Sequence, residues 1–297
     1  MTIYQGSGVA LVTPFVENTR EIDWVAFEKL LDFHLDNQTD ALIITGTTGE
    51  GSTLTDEEQI NLIKFAVDHV DGRIPVIGGT GINDTRHSIR LSQQAENAGV
   101  NGLLIVTPYY NKASYRGMIE HFEAIADSVK TPIILYHVPG RTGCQLTVDQ
   151  IVELAKHPNI VGLKDATGDL DFTRQVIQET PEDFAVYSGN DDLTHEIMVM
   201  GGQGTISVTA NVMPREIHQL CQYHLDGQGM EAGRLNQELE AINRDLFIEV
   251  NPIPVKYLVH RLGWCANSYR LPLTPPSEES CRVLDAYLDQ LSDRYQA

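Results

Sequence analysis

Eight short apolar runs, rich in valine and isoleucine, recur along the chain and alternate with longer amphipathic segments. The runs are GVALVTPF, ALIIT, IPVIGG, GLLIVT, PIILY, NIVGLK, FAVYS and GTISV. They are continuous rather than alternating, which is typical of parallel strands that are buried on both faces. The pattern therefore predicts eight parallel strands covered by helices.

The amphipathic segments carry the start signals of helices. Thr55 with Glu58, and Thr147 with Gln150, have the spacing of a capping box. Pro214 stands where the first turn of a helix tolerates proline. These signals indicate that each apolar run is followed by a helix.

The number of strand-helix units decides between two architectures. Eight units within about 225 residues fit a closed barrel better than an open doubly wound sheet. Helical patterns alone follow the eighth unit, interrupted by NPIPVK and by a second proline-containing segment near residue 272. We predict an α/β protein with a (β/α)8 TIM barrel over residues 1–227, which carries the active site, and a C-terminal helical domain over residues 228–297.

Composition narrows the class of protein. The formal net charge of −20, with no basic patch, argues against nucleic acid or an anionic membrane as partner. No apolar run is long enough for a membrane span, and MTIYQGSGVA lacks the features of a secretory signal. The four cysteines form no CxxC pair and the ten histidines form no HExxH motif. We expect a soluble cytoplasmic protein without a metal site.

Lys164 is the most informative candidate for chemistry. The active sites of TIM barrels form at the carboxyl ends of the strands, and Lys164 follows the apolar residues of the sixth run. An amine attacks a ketone only when it is neutral, and about one free lysine in a few thousand is neutral at pH 7, so a nucleophilic lysine needs a special environment. The structural alternative is an ion pair with Asp165.

Two further segments end strands with polar groups. The turn GTTGE at residues 46–50 combines small residues with two hydroxyls, and its backbone amides can hold a carboxylate. Tyr136 and Arg141 follow the fifth run, where tyrosine can relay a proton and arginine can bind a carboxylate in bidentate fashion. The alternatives are a purely structural turn and a surface pair of side chains. The turn lacks the Gly-Lys-Ser/Thr of a phosphate loop.

Seven segments together resemble the superfamily of dihydrodipicolinate synthase and N-acetylneuraminate lyase, which are class I pyruvate-dependent aldolases. The segments are GTTGE, VTPYYN, YHVPGRTG, GLKDATG, SGND, GTISVTANV and NPIPVK, in the family's order and spacing. The resemblance covers essentially the whole chain. Thr47 and Arg141 favour the synthase branch, which uses that arginine to hold the carboxylate of aspartate semialdehyde.

The resemblance implies a role for each matching residue. Lys164 would form the Schiff base, and Thr48 with the adjacent turn amides would hold the pyruvate carboxylate. Thr47 would link Tyr136 to Tyr110 in a proton relay, with Tyr110 supplied by a neighbouring subunit. Further residues that would line the site near the lysine are Gly189 and Ile206.

The resemblance also implies a reaction and an assembly. Pyruvate and L-aspartate 4-semialdehyde would condense to 4-hydroxy-tetrahydrodipicolinate in the diaminopimelate route to lysine. No metal or organic cofactor would be needed, because the protonated imine serves as the electron sink. The chain would form at least a tight dimer. Members of the family usually form a homotetramer built as a dimer of dimers, so the resemblance implies that assembly here.

The chain departs from the family pattern at a few positions. His137 stands where the family usually has Asn, and Asp165 where it usually has Glu. In members inhibited by lysine, an interface pocket carries histidines and a glutamate, which differ here. The corresponding positions here are Asp56, Gln59 and His87, whereas Asn83 and Tyr109 match the family pattern. We therefore expect weak or absent lysine feedback.

Three other functions remain compatible with parts of the pattern. The first is an aldolase that uses the same Schiff base with another aldehyde, against which Arg141 argues. The second is a barrel that binds 2-oxo acids without catalysis. The third is a phosphate-binding barrel enzyme, but the glycine-rich run at residues 201–204 precedes the eighth strand and would lie at the wrong end of the barrel.

Overall fold

A computed structural model describes residues 2–295. Eight parallel strands close into a barrel in sequence order, with β1 pairing with both β2 and β8. The predicted (β/α)8 TIM barrel is thereby confirmed. The strands are β1 (Gly6–Ala10), β2 (Ala41–Ile44), β3 (Val76–Gly79), β4 (Gly102–Val106), β5 (Ile133–His137), β6 (Ile160–Asp165), β7 (Ala185–Ser188) and β8 (Gly204–Ser207).

Helices cover the outside of the barrel, and both predicted capping boxes are present, at Thr55 and Thr147. Pro214 begins its helix as expected. The barrel helices are α1 (Trp24–Asp36), α2 (Asp56–Val70), α3 (Thr85–Asn97), α4 (Tyr115–Asp127), α5 (Pro139–Thr142), α6 (Val148–Leu154), α7 (Leu170–Glu179), α8 (Thr194–Val199) and α9 (Pro214–Leu225).

Four helices and no strand follow the barrel within the described residues. The segment NPIPVK lies at the start of the second of these helices. Its residues IPVK form the first turn of that helix, where proline costs no hydrogen bond. The boundary between residues 227 and 228 stays a prediction. The C-terminal helices are α10 (Gly229–Asp245), α11 (Ile253–Arg261), α12 (Glu278–Asp285) and α13 (Leu288–Tyr295).

The first strand is shorter than the apolar run GVALVTPF suggests. It ends at Ala10, and the backbone N–H of Val12 donates to the side chain of Asn211 at 3.1 Å instead of to a neighbouring strand. Pro14 has no N–H to extend a ladder. The remaining apolar residues of the run are buried in the core outside the strand.

Side chains fill the barrel interior near the amino ends of the strands. The rings of Tyr4 and Tyr187 stack with their centroids 4.6 Å apart, and the Tyr187 hydroxyl donates to the Tyr4 carbonyl at 2.7 Å. Gly8 leaves the room for this arrangement, since a Cβ there would lie 2.4 Å from the Tyr4 hydroxyl. The barrel is therefore packed with side chains at this end and is not an open pore.

Candidate active site

A cavity of about 300 Å³ opens at the carboxyl ends of the strands, where a TIM barrel carries its site. Thr47, Tyr136 and Arg141, which the sequence suggests for catalysis or substrate binding, line it together. The other lining residues are Thr45, Gly46, Gly51, Ser52, Gln59, Gly79, Gly81, Ile82, Leu104, Val106, Tyr109, Val138 and Thr142.

Lys164 lies beside this cavity, near the end of β6. It stands between Tyr136 on β5 and Tyr187 on β7 in the sheet register, so the three side chains point into the barrel. The side chain is only 5% exposed, and its Nζ lies 4.3 Å from the centroid of the Tyr136 ring. Within residues 2–295 no carboxylate forms an ion pair with it. The geometry presents a buried amine against an aromatic wall.

Asp165, the partner in the structural alternative, does not pair with this amine. Successive residues of a strand point to opposite faces, so Asp165 points outward. Its carboxylate accepts hydrogen bonds from the Thr167 amide at 3.0 Å and from the Thr173 hydroxyl. Burial raises the pKa of Asp165. Lys164 is therefore not explained as one half of a local ion pair.

Gly189 lies next to the side chain of Lys164. A Cβ on Gly189 would lie 3.1 Å from Lys164 Cε and 2.9 Å from the Asp165 carbonyl oxygen, so only glycine fits at this position without displacing its neighbours. Ile206 is fully buried in the barrel interior with Tyr136 and Tyr187.

The GTTGE turn after β2 has a constrained backbone. Thr45, which precedes it, and Glu50, its last residue, have φ angles of 60° and 54°. This left-handed conformation is especially unfavourable for the β-branched Thr45. A Cβ on Gly51 would lie 2.2 Å from the Thr45 carbonyl oxygen, so the turn requires glycine there. Strain of this kind concentrates at binding sites.

Thr48 lies behind the cavity surface rather than on it. Its side chain is 2% exposed, and its Oγ1 accepts a hydrogen bond from Asn251 Nδ2 at 3.0 Å. Arg141, in the short helix α5, donates from its guanidinium to the Asn251 carbonyl at 3.1 Å. The segment between α10 and α11 thus contacts both residues that the sequence assigns to carboxylate binding.

A buried ion pair anchors the turn to the C-terminal helices. Lys256 Nζ lies 2.5 Å from Glu50 Oε1, and both side chains are fully buried. The backbone N–H of Arg270 donates to Glu50 Oε2 at 3.1 Å. Sequence reasoning used NPIPVK only as a family marker and missed Asn251 and Lys256. The available signal was a lysine inside the apolar run IPVKYLV.

Tyr110 does not join Thr47 and Tyr136 within one chain. It is 88% exposed, has a φ of 73°, and is not among the residues that line the cavity. Its neighbour Tyr109 lines the cavity instead. A relay through Tyr110 is therefore not assembled by a single subunit.

Comparison with known proteins identifies the family. The model of the dihydrodipicolinate synthetase family matches residues 4–291. The chain belongs to this family. The 4-hydroxy-tetrahydrodipicolinate synthase of Pseudomonas aeruginosa is 49% identical over 269 residues, which are 91% of this chain and 92% of that protein.

Solved structures of the family have the same fold. The dihydrodipicolinate synthase of Aquifex aeolicus has a TM-score of 0.94 at 44% identity and covers 96% of this chain and 97% of its own. The enzyme of Acinetobacter baumannii, complexed with pyruvate, has a TM-score of 0.95 at 43% identity, with 98% and 99% covered. The resemblance noted in the sequence is confirmed.

The two departures from the family pattern on β5 and β6 lie on the helix side of the sheet. His137 and Asp165 are register partners, and the His137 Nε2 accepts the Leu146 N–H at 3.0 Å. Burial lowers the pKa of His137 to about 4. Neither side chain lines the cavity, so neither departure alters its surface.

The residues that correspond to the family's lysine pocket contact one another only in part. His87 Nε2 lies 2.8 Å from both carboxylate oxygens of Asp56, and Arg90 donates to the same carboxylate at 3.2 Å. Burial alone would raise the pKa of Asp56, but these hydrogen bonds from His87 and Arg90 lower it. Asn83 accepts a hydrogen bond at its carbonyl from Asn111. The Asp56 carboxylate is therefore already paired with two basic side chains.

Neither a membrane span nor a metal-binding cluster is present among the described residues. No helix within residues 2–295 is both long and apolar enough to cross a bilayer. Over the same residues, no group of three or more His, Cys, Asp or Glu side chains is placed to hold a metal ion.

Proposed function

We propose that this protein condenses pyruvate with L-aspartate 4-semialdehyde through a Schiff base on Lys164 and forms 4-hydroxy-tetrahydrodipicolinate in the diaminopimelate route to lysine. The observation that carries the proposal is the buried Lys164 amine, 4.3 Å from the centroid of the Tyr136 ring, beside a cavity that Thr47 and Arg141 also line. Membership of the dihydrodipicolinate synthetase family supports it.

The reaction begins when the Lys164 amine adds to the ketone of pyruvate and water leaves, which gives an imine. A proton then leaves the methyl carbon to give an enamine, whose carbon attacks the aldehyde of the semialdehyde. The amino group of this second substrate finally attacks the imine carbon, closes the ring and releases Lys164. The protonated imine accepts the electrons of the broken C–H bond, so the scheme uses no metal or organic cofactor.

The proposal gives each substrate carboxylate its own binding group. Thr48 and the amides of the GTTGE turn would hold pyruvate, and Arg141 would bind the semialdehyde carboxylate at the exposed rim. Such local donors are needed because the chain carries a net charge of −20, which repels anions at long range.

The proposed assembly follows from Tyr110. An exposed tyrosine that lies outside its own cavity is suited to complete the site of a neighbouring subunit, next to Thr47 and Tyr136. We propose a tight dimer as the catalytic unit and a homotetramer, built as a dimer of dimers, as the complete assembly. The proposed location is the cytoplasm, where reducing conditions keep the four free cysteines as thiols.

Borohydride trapping tests the proposal. The protein is reduced with and without pyruvate and then digested for peptide mass mapping. We expect a pyruvate-dependent adduct on the peptide that contains Lys164, no adduct in Lys164→Ala, and an unchanged adduct in Lys64→Ala, which alters an exposed lysine on α2. An adduct elsewhere, or none in the native protein, contradicts the Schiff-base assignment.

The choice of second substrate needs a separate assay. Turnover is measured with pyruvate and either aspartate semialdehyde or the aldehydes of sugar-acid lyases. Preference for aspartate semialdehyde, lost in Arg141→Ala, supports the synthase. Equal turnover of a sugar-derived aldehyde would instead indicate the related aldolase activity.

A further inference from the structure

Asn251 lies between α10 and α11 and contacts two distant parts of the barrel mouth. Its side-chain Nδ2 donates to the hydroxyl of Thr48 at 3.0 Å, and its carbonyl accepts from the guanidinium of Arg141 at 3.1 Å. Asn251 itself is 6% exposed; its contact with Thr48 is buried and its contact with Arg141 is partly buried. One residue outside the barrel strands therefore connects the turn after β2 to the helix after β5.

The contact with Thr48 constrains the direction of its hydroxyl proton. A threonine hydroxyl has one proton to donate and lone pairs that accept. Because the Asn251 amide donates to this oxygen, the proton must point away from Asn251. No acceptor takes it among residues 2–295. A substrate carboxylate is the strong acceptor suited to that proton.

The other half of the Asn251 amide has no comparable partner. Its Oδ1 is buried and accepts no hydrogen bond from the described part of the chain. A buried acceptor without a donor destabilises a fold, so an apolar side chain of the same shape should be tolerated at least as well by the folded state. The fold alone thus gives no reason for an amide here, whereas the orientation of Thr48 does.

We propose that Asn251 is a positioning residue that turns the Thr48 hydroxyl toward the pyruvate carboxylate and, through its main chain, holds Arg141 at a fixed distance from that hydroxyl. This inference rests on the proposed function and adds to it a residue that acts through Thr48.

Two variants of similar size separate positioning from structural support. Asn251→Leu removes the donor, and we expect the KM for pyruvate to rise about 10-fold, the effect of losing a hydrogen bond to a charged group. The KM for the semialdehyde should stay the same, since Arg141 contacts the main chain. The melting temperature should not fall. Asn251→Asp should raise the pyruvate KM further, because its carboxylate takes the Thr48 proton and repels the substrate.

A double-mutant cycle tests whether the effect passes through Thr48. In a Thr48→Val background, Asn251→Leu should change the pyruvate KM no further. Additive effects, an unchanged pyruvate KM in Asn251→Leu, or a parallel rise in both KM values with a lower melting temperature would each overturn the inference. If Asn251→Leu does not fold, Asn251→Ala, which also removes the donor without adding a charge, gives the same decision in the same cycle.

Borohydride trapping of the native protein separates this inference from the function beneath it. Native protein that forms no adduct with pyruvate overturns the proposed function and this inference with it. If the native protein forms the adduct and the Asn251 variants form it at the same pyruvate concentrations, only the positioning role is overturned.

Discussion

Replacing Lys256 with methionine removes one partner of the buried ion pair that joins α11 to Glu50 of the GTTGE turn. Glu50 would remain fully buried, and within residues 2–295 its carboxylate would keep only the Arg270 N–H, at 3.1 Å, as a donor. Breaking a buried pair in this way costs about 3–5 kcal/mol, and the remaining hydrogen bond favours the lower end. With an unfolding entropy of about 2.1 cal/mol/K per residue over 297 residues, a loss of about 3 kcal/mol lowers the melting temperature by about 5 °C.

The assay is calorimetric or fluorescence melting of four proteins at one concentration. They are the native chain, Lys256→Met, the double variant Lys256→Met with Glu50→Gln, and the control Lys64→Met on the exposed face of α2. The double variant should melt above Lys256→Met because no buried charge is left without a partner, and the control should match the native chain. A Lys256→Met variant that melts like the native chain, or a double variant that melts lowest, refutes the reasoning.

Three further predictions concern pH, regulation and assembly. Burial lowers the pKa of His137 from 6.5 to about 4, so between these two pH values the unfolded chain binds a proton there that the folded chain does not. The free energy of unfolding therefore falls by up to about 1.4 kcal/mol per pH unit as the pH drops from 6.5 toward 4. His137→Asn should reduce this slope in urea unfolding between pH 7 and pH 5, and an unchanged slope would contradict the assignment. Submillimolar lysine should leave turnover unchanged, since His87 already pairs with Asp56 at 2.8 Å; inhibition in a steady-state assay would show the expectation wrong. Mixing inactive Tyr110→Phe and Lys164→Ala proteins, with subunit exchange, should restore activity through hybrid dimers, and activity no greater than the sum of the two would exclude a shared site.

The strands and their order were predictable because burial on both faces leaves a continuous apolar run, and NIVGLK shows this most clearly. The helix starts at Thr55 and Thr147 were predictable for a local reason, since a capping box involves residues only three positions apart. The position of Lys164 at a strand end followed from the same pattern. Chemistry and local spacing together therefore indicate the barrel and the candidate nucleophile.

The supports of the site were not predictable in the same way. Asn251 bonds to Thr48 and Lys256 to Glu50 across more than 200 residues of sequence, and no local pattern encodes such a pairing. The exposure of Tyr110 depends on where its loop leaves the barrel, which the sequence run VTPYYN does not reveal. Contacts between segments so far apart in sequence can be identified only from the folded structure.

The stacked rings of Tyr4 and Tyr187 fill the amino end of the barrel, opposite the cavity. Under the proposed reaction, both reactants, the water lost on imine formation and the product would pass through the cavity at the opposite end of the barrel. Lys164 is buried whereas Arg141 is exposed, so we expect pyruvate to bind before the semialdehyde. Steady-state kinetics should therefore show ordered substrate binding, which the shape of the cavity imposes.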